Sequence, residues 1–323
     1  MSDSNIGIVT ERSSNRISYF NTHTLQVLYQ INLNADATDV AITRDNRNAV
    51  VSTFTSQKIF KLNNNAAPPV VEATVATSIY AGDIDITPNS KYAVISDGGP
   101  ISSSILSYDL SANSIVSTLS ANAQAIAASP NGNGLILTAT SIAGIVNCYN
   151  IDNAGTLTDT GNYVTVSGQP INITFAPDGN SAFIANDFSS TIDVLDTSNP
   201  SNITVSSSAI SSSKIQSIVV SRDGYTVYVL TTSTVDIFNY NPTTKGLILS
   251  SSFNHNLLIT FYYGVDQMAL DLSEAILFII DSSNKILNVF QTNGTLIGTV
   301  SNVQAEGGIA IYHQSSCRGI RFF

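Results

Sequence analysis

The residues best placed to do chemistry in this chain are carboxylates, and they recur at matching points of a repeated unit. Asp39 and Asp83 fall four residues before the end of a short apolar strand, and Asp266 and Glu306 fall at the approach to two further copies. Glu11, Asp97, Asn186, Asp187 and Asp281 fall where the following strand ends. In an antiparallel hairpin, the start of one strand and the end of its partner lie on one face. The spacing therefore gathers these groups at a single mouth, with Asp39, Asp83, Asp266 and Glu306 nearest its centre. Two readings follow. Converging carboxylates would bind Ca²⁺ or Mg²⁺ through oxygen ligands, and close neighbours would raise one another's pKa. Alternatively, Asp and Asn at strand ends bond to local turns and keep an exposed face soluble.

Other chemistries find no set of residues. The three histidines, His23, His255 and His313, fall in turns and connections far from one another in the repeat. They read as solvated, and no G-x-S-x-G elbow accompanies them. Neither CxxC nor HxxxH occurs, so a zinc set is unsupported. The two cysteines, Cys148 and Cys317, form no disulfide framework and read as free thiols. Gly98-Gly99 is a turn, because no helix follows to hold a phosphate. No catalytic residue is assigned. Asn172, Asn202 and Asn293 begin sequons, which an Asn/Thr-rich chain produces by chance. Tyr262-Tyr263 stands beside Asp266 and would stack on a flat ligand if it rims the same mouth.

The elements that must position these groups are hairpins. Ile171, Ile173 and Phe175 alternate with polar residues, as in a half-buried strand. Pro177-Asp178-Gly179 supplies the turn, and Ala182-Phe-Ile-Ala185 returns as the partner. Equivalent hairpins end their first strands at Thr43, Thr87, Ser129, Ala176, Ser221 and Asp271, spaced by about 44, 42, 47, 45 and 50 residues. Periods of this size mark propellers. A third strand follows each hairpin (Lys58–Leu62, Ile105–Asp109, Ile145–Tyr149, Thr191–Leu195, Val235–Phe238 and Ile286–Phe290), and usually a fourth. Gly308-Ile-Ala-Ile-Tyr312 matches a first strand with no partner after it. Its missing strands stand at the start of the chain, in Ile6–Val9, Arg16–Phe20 and Gln26–Gln30. The predicted fold is all-β: one seven-bladed propeller of four-stranded antiparallel blades over residues 1–314. The C-terminal strand joins the N-terminal three and closes the ring, which removes open sheet edges. Residues 315–323 form a tail, whose Phe322-Phe323 packs on the flank or docks on a partner.

Composition bounds the partners. Of 323 residues, 43% are hydrophobic and only 11% charged, and the formal net charge is −10. With no basic stripe, the composition opposes binding to nucleic acid. The apolar runs are short and broken, so membrane insertion is not expected. The N-terminus lacks a basic region followed by an apolar core and does not read as a signal peptide. The Ser/Thr/Asn-rich, Lys-poor surface points weakly to an extracellular or cell-surface setting.

Ala176-Pro-Asp-Gly-Asn-Ser-Ala-Phe-Ile-Ala-Asn186, followed by Ile192-Asp-Val-Leu-Asp196, resembles the YVTN-type repeat of the lactonase-like seven-bladed propellers. The resemblance spans nearly the whole chain. It is strongest in the fourth and fifth units and weakest in the first and sixth, where the turn glycine is missing. Propellers host many unrelated activities. The residues favour a non-enzymatic binding or scaffold propeller that presents its loop faces to a protein, glycan or surface partner. The resemblance implies a lactonase-like hydrolase, metal-assisted at the acidic mouth, as the alternative. A structural subunit of a cell-surface or extracellular assembly, joined through its tail, is a third reading.

Overall fold

The computed structural model of the protein describes residues 5–99, 104–140, 144–187, 189–259 and 264–312. Its strands form seven four-stranded sheets. Six follow one another along the chain, and their innermost strands are Ala37–Ile42, Ala81–Ile86, Ala125–Ala128, Pro170–Phe175, Ile215–Val220 and Met268–Leu270. The seventh joins Ile309–Ile311 to Ile6–Glu11, with Gly7 opposite Ile311 and Val9 opposite Ile309. The seven-bladed ring and its closure are those the repeat spacing predicts. Among the described residues the only helical turn is a short 3-10 segment, Arg12–Ser14. No helix is long and apolar enough to cross a membrane.

The hairpin turns explain the register. In blade four, the Gly179 amide bonds to the Ala176 carbonyl (2.9 Å), Asp178 Oδ1 accepts the Asn180 amide (2.9 Å), and Gly179 takes φ +69°. That conformation is inexpensive for glycine alone. Blades one, two and six keep the same turn without it, blade two through Ser90 at φ +57°. Asn46 and Glu274 both adopt φ near 59° at the equivalent position, and the amides of Asn46 and Glu274 bond back to Thr43 and Asp271. Asn tolerates this region better than Glu, so the blade-six turn is held by Asp271. Its carboxylate accepts the amides of Ser273 (3.1 Å), Ala275 (3.1 Å) and Ile276 (2.9 Å).

The core lies between the blades. Apolar side chains of one sheet interlock with those of the next: Phe183 meets Tyr240 edge-on at 4.8 Å across blades four and five, and Phe20 meets Phe278 at 5.3 Å across seven and six. Outer strands are less buried: Val27–Asn32 alternates between part-buried and exposed residues, and Val70–Ala76 does so over its second half. The inner strands differ. They are sheet edges facing the central channel, so their channel-side amides need partners the ladder does not supply.

Candidate functional site: a carboxylate-floored channel

Aspartates on the inner strands supply those partners. Asp39 Oδ2 accepts the Ile84 amide (3.4 Å), Asp83 Oδ2 the Ile126 amide (2.7 Å) and Asp85 Oδ2 the Ala128 amide (2.8 Å). Each carboxylate thus reaches one blade onward and ties neighbouring inner strands together. Asp85 was missed by the sequence reading. The signal was present, since Asp85 is two residues after Asp83 and a strand's period of two puts both on the channel face.

The segment leading into blade six crosses this end of the channel. The Gly264 amide bonds to the Ile171 carbonyl (2.9 Å), and its carbonyl accepts Asn172 Nδ2 (3.3 Å). A Cβ on Gly264 would stand 2.5 Å from the Gln124 carbonyl oxygen and 2.7 Å from Asp83 Cβ. A residue of blade six's approach therefore touches blades two, three and four, which is possible only by spanning the channel. Asp266 follows it and accepts a second bond from Asn172 Nδ2 (3.3 Å). The inner carboxylates thus lie beneath a crossing segment rather than around an open mouth. Tyr262 and Tyr263 lie outside the described residues.

Below this crossing is a cavity of about 400 Å³, bounded at its inner end by Asp83, Asp85, Gly264 and Asp266. Its wall includes Ala41, Ala127, Thr174 and Val219, and its rim at the hairpin-turn face carries Arg44, Pro130, Pro177 and Arg222. Enclosure by the ring raises the pKa of every inner carboxylate. Burial, followed by the charge of Asp266, holds Asp39 well above the usual carboxylate range. Burial, then the charges of Asp39 and Asp266, does the same for Asp83. Burial lifts Asp85 to about 6 against the opposing bonds from the Ala128 and Ile86 amides and the charge of Arg44. Burial also lifts Asp266 to about 7, Asn172 opposing and Asp85 adding. Asp266 is surrounded by the ring but open to the cavity, so water there tempers its shift. Carboxylates this close hold protons as a group.

The remaining predicted site residues do not join this cluster. Glu11 is fully buried and pairs with Arg16 Nε (2.7 Å) and the Ser18 hydroxyl within its own blade. Asp97 accepts the Gly99 amide in a turn (3.0 Å), and Asp281 bonds to Asn284 through its amide (3.0 Å) and Nδ2 (2.9 Å). Asp187 pairs with Lys214 (2.9 Å). Glu306 takes the Ser13 amide (2.7 Å) and Lys285 Nζ (2.9 Å). Asn186 donates to Asp193 (3.0 Å). Among the described residues, no three His, Cys, Asp or Glu side chains group to hold a metal ion.

Asp193 is a structural anchor. Itself fully buried, it accepts the Ser167 amide (2.6 Å), the Ser167 hydroxyl (2.6 Å), the buried Asn186 Nδ2 and the Ser208 hydroxyl. Asp193→Ala would strand the buried Asn186 amide and release the serine donors to water, and urea denaturation is expected to show a loss of about 2 kcal/mol.

The histidines differ from their solvated reading at one position. His255 is buried, with Nε2 on the Thr231 carbonyl (2.9 Å) and Nδ1 accepting the Leu257 amide (2.9 Å). His23 sits in an exposed turn. Cys148 is buried, and burial pushes its thiol up to about 11. His313, Cys317 and the tail lie outside the described residues. Asn172 is buried in the channel, away from any surface a glycan needs.

No protein-family model matches the chain, and no curated protein matches it. Among solved structures, it is similar to a functionally unknown protein from Desulfotomaculum acetoxidans, with 43% identity over 96% of this chain and 99% of that one, at a TM-score of 0.93. It is also similar to a periplasmic gluconolactonase from Pseudomonas aeruginosa, with 14% identity over 94% and 98% of the two chains and a TM-score of 0.74. A putative 6-phosphogluconolactonase from Bacteroides fragilis gives 14% identity over 96% and 98%, with a TM-score of 0.76. At that identity the two lactonase propellers share the fold with this chain.

Proposed function

The chain belongs to the same family as the Desulfotomaculum acetoxidans propeller, and we propose that it uses this scaffold as a non-enzymatic binding protein for a small molecule held in the central channel. One observation carries the reading: a cavity of about 400 Å³ opens toward the hairpin-turn face and ends on carboxylates beneath the Gly264 crossing. This volume falls within the range of small-molecule sites, and the carboxylates converging at its inner end give a ligand points of recognition. The binding face is then the hairpin-turn face rather than the acidic mouth expected from spacing. The cavity wall holds no histidine or cysteine among the described residues, which favours binding over nucleophilic catalysis.

The reading is tested by a small-molecule screen that follows the melting temperature of the intact protein. A ligand at a hundred times its Kd stabilises by about 2.7 kcal/mol. Thr174 lines the cavity and belongs to no interblade core, so Thr174→Phe fills the channel without disturbing the blades. Hits are expected to lose their shift in this variant. Hits that keep it in full would place the ligand elsewhere and defeat the reading.

A second reading is favoured by Asp266, whose pKa of about 7 suits a general base, and by the fold shared with lactonases. In this reading Asp266 draws a proton from water attacking a lactone carbonyl. Lactone turnover that disappears in Asp266→Asn would support hydrolysis. The absence of turnover across a lactone panel, with binding intact, would leave the binding reading alone.

A further inference from the structure

The inner end of the channel is rich in acceptors and poor in donors. Asp83, Asp85 and Asp266 bound the cavity there. Asn172, 2% exposed, gives its Nδ2 to Gly264 and Asp266, while its Oδ1 has no donor among the described residues. At the equivalent position of blade five, the buried Ser217 hydroxyl also has no partner. An amide oxygen and an ionised carboxylate can only accept, whereas a carboxyl that keeps its proton also donates, and a buried acceptor without a donor is costly. Of these groups, Asp83, Asp85 and Asp266 face the cavity itself, and the group that best meets them when they are ionised carries several donors and a positive charge.

The rim has the opposite sign. Arg44 reaches across to the Pro130 carbonyl (3.2 Å), and its charge is felt by Asp85 inside the cavity. Arg222 stands on the same rim in blade five. Between the ends, the wall facing the channel is small or apolar at Ala41, Ala127, Val219, Ala269 and Ala310. The channel is thus negative within, apolar along its length and positive at its rim.

Building on the small-molecule reading above, we infer that the cavity takes a slender organic molecule that leads with a primary ammonium and trails an anionic group. The ammonium brings three donors to the Asp83, Asp85 and Asp266 end. The short apolar spacer lies along the alanine-lined wall, and the anion meets Arg44 and Arg222. A diamine fits the inner end equally well, but its second ammonium meets the arginines. A carboxylic acid without the amine lacks the leading group.

Calorimetry on the full chain with 5-aminovalerate, valerate, cadaverine and calcium chloride tests this. At pH 8, 5-aminovalerate is expected to bind at least about tenfold more tightly than valerate, each lost ammonium–carboxylate contact being worth a factor of this order. Cadaverine is expected to bind about fivefold or more weakly than 5-aminovalerate. Affinity for the amino acid should fall several-fold from pH 8 to pH 6, as Asp266 takes up a proton. Asp266→Asn should reduce both the affinity and its pH dependence. Wild-type pH dependence carries the test if that variant fails to fold. Equal binding of valerate, undiminished binding in a folded Asp266→Asn, or calcium heat with none from 5-aminovalerate would overturn the inference. Neutral hits that Thr174→Phe abolishes, with no amine binding, would overturn it and leave the small-molecule reading standing.

Discussion

The melting temperature of this protein is expected to rise as the pH is lowered from 8 to 5, against the usual trend for an acidic chain. Four inner carboxylates have folded pKa values above their ordinary value of 3.8: Asp39 and Asp83 well above it, Asp85 at about 6 and Asp266 at about 7. Between the ordinary value and these raised ones, the folded state binds more protons than the unfolded chain. Stability must then fall as the pH climbs through that window. Asp85 alone is expected to account for about 2 kcal/mol, after allowance for its partial exposure to the cavity. One opposing group acts in the same window: burial lowers the pKa of His255, so its share of stability is lost as the pH falls through the ordinary histidine value and subtracts from the rise. The other opposing groups act at lower pH. Hydrogen bonds hold Asp36, Asp109, Asp196, Asp223 and Glu306 below their ordinary values, so their contribution is lost only in stronger acid. Calorimetric melts are expected to peak near pH 5. In Asp266→Asn the slope between pH 6 and 8 should flatten. A wild-type profile that rises from pH 5 to 8 would mean that the inner carboxylates are solvated and ordinary.

Gly264→Ala is expected to be among the most damaging single substitutions outside the blade cores. Gly264 sits at φ +73°, where an alanine is strained. Its new Cβ would also meet the Gln124 carbonyl oxygen at 2.5 Å and Asp83 Cβ at 2.7 Å. Neither obstacle is the end of a flexible side chain, so the crossing segment must shift. Strain and clash together are expected to cost about 3 kcal/mol, read as a lower urea midpoint by circular dichroism. Gly132→Ala is the control. Gly132 has φ +78° with nothing within 4 Å of its Cβ position, so it should cost about 1 kcal/mol. Equal losses in the two variants would show that the crossing adds nothing beyond backbone strain.

The blades were legible because a propeller repeats its own grammar. A Pro-Asp-Gly turn, a period-two strand and a fixed spacing recur, and each copy corrects the reading of its neighbours. Even the missing glycines of blades one, two and six did not obscure the turn, since Asn46, Ser90 and Glu274 hold the same conformation there. The inner carboxylates were legible for the same reason, as Asp39 and Asp83 occupy one repeat position. Their environment was not. The residues from Gly264 to Asp266 break the pattern of the approaches to the other blades, and a non-repeating segment has no copy against which to be read. Crossing the channel is a long-range event, set by Asn172 and Ile171 some 90 residues away and invisible to local spacing. The outer group is placed differently. Strand-end carboxylates such as Asp97 and Asp281 share a position but spend their oxygens on their own turns, the competing reading the sequence left open. Arg44 and Arg222 both follow the last residue of their inner strands, a recurrence that could have marked the rim.

The most direct test of a proton-holding carboxylate cluster inside the ring is a carbon-13 NMR titration of the aspartate carboxyl groups in the intact protein. Asp266 is expected to titrate near 7 and Asp85 near 6, with Asp39 and Asp83 retaining protons above the ordinary carboxylate range. The Asp266 signal should be absent from the Asp266→Asn spectrum. Titration of every aspartate below pH 5 would contradict the account, because solvated carboxylates of that kind could not floor an enclosed channel.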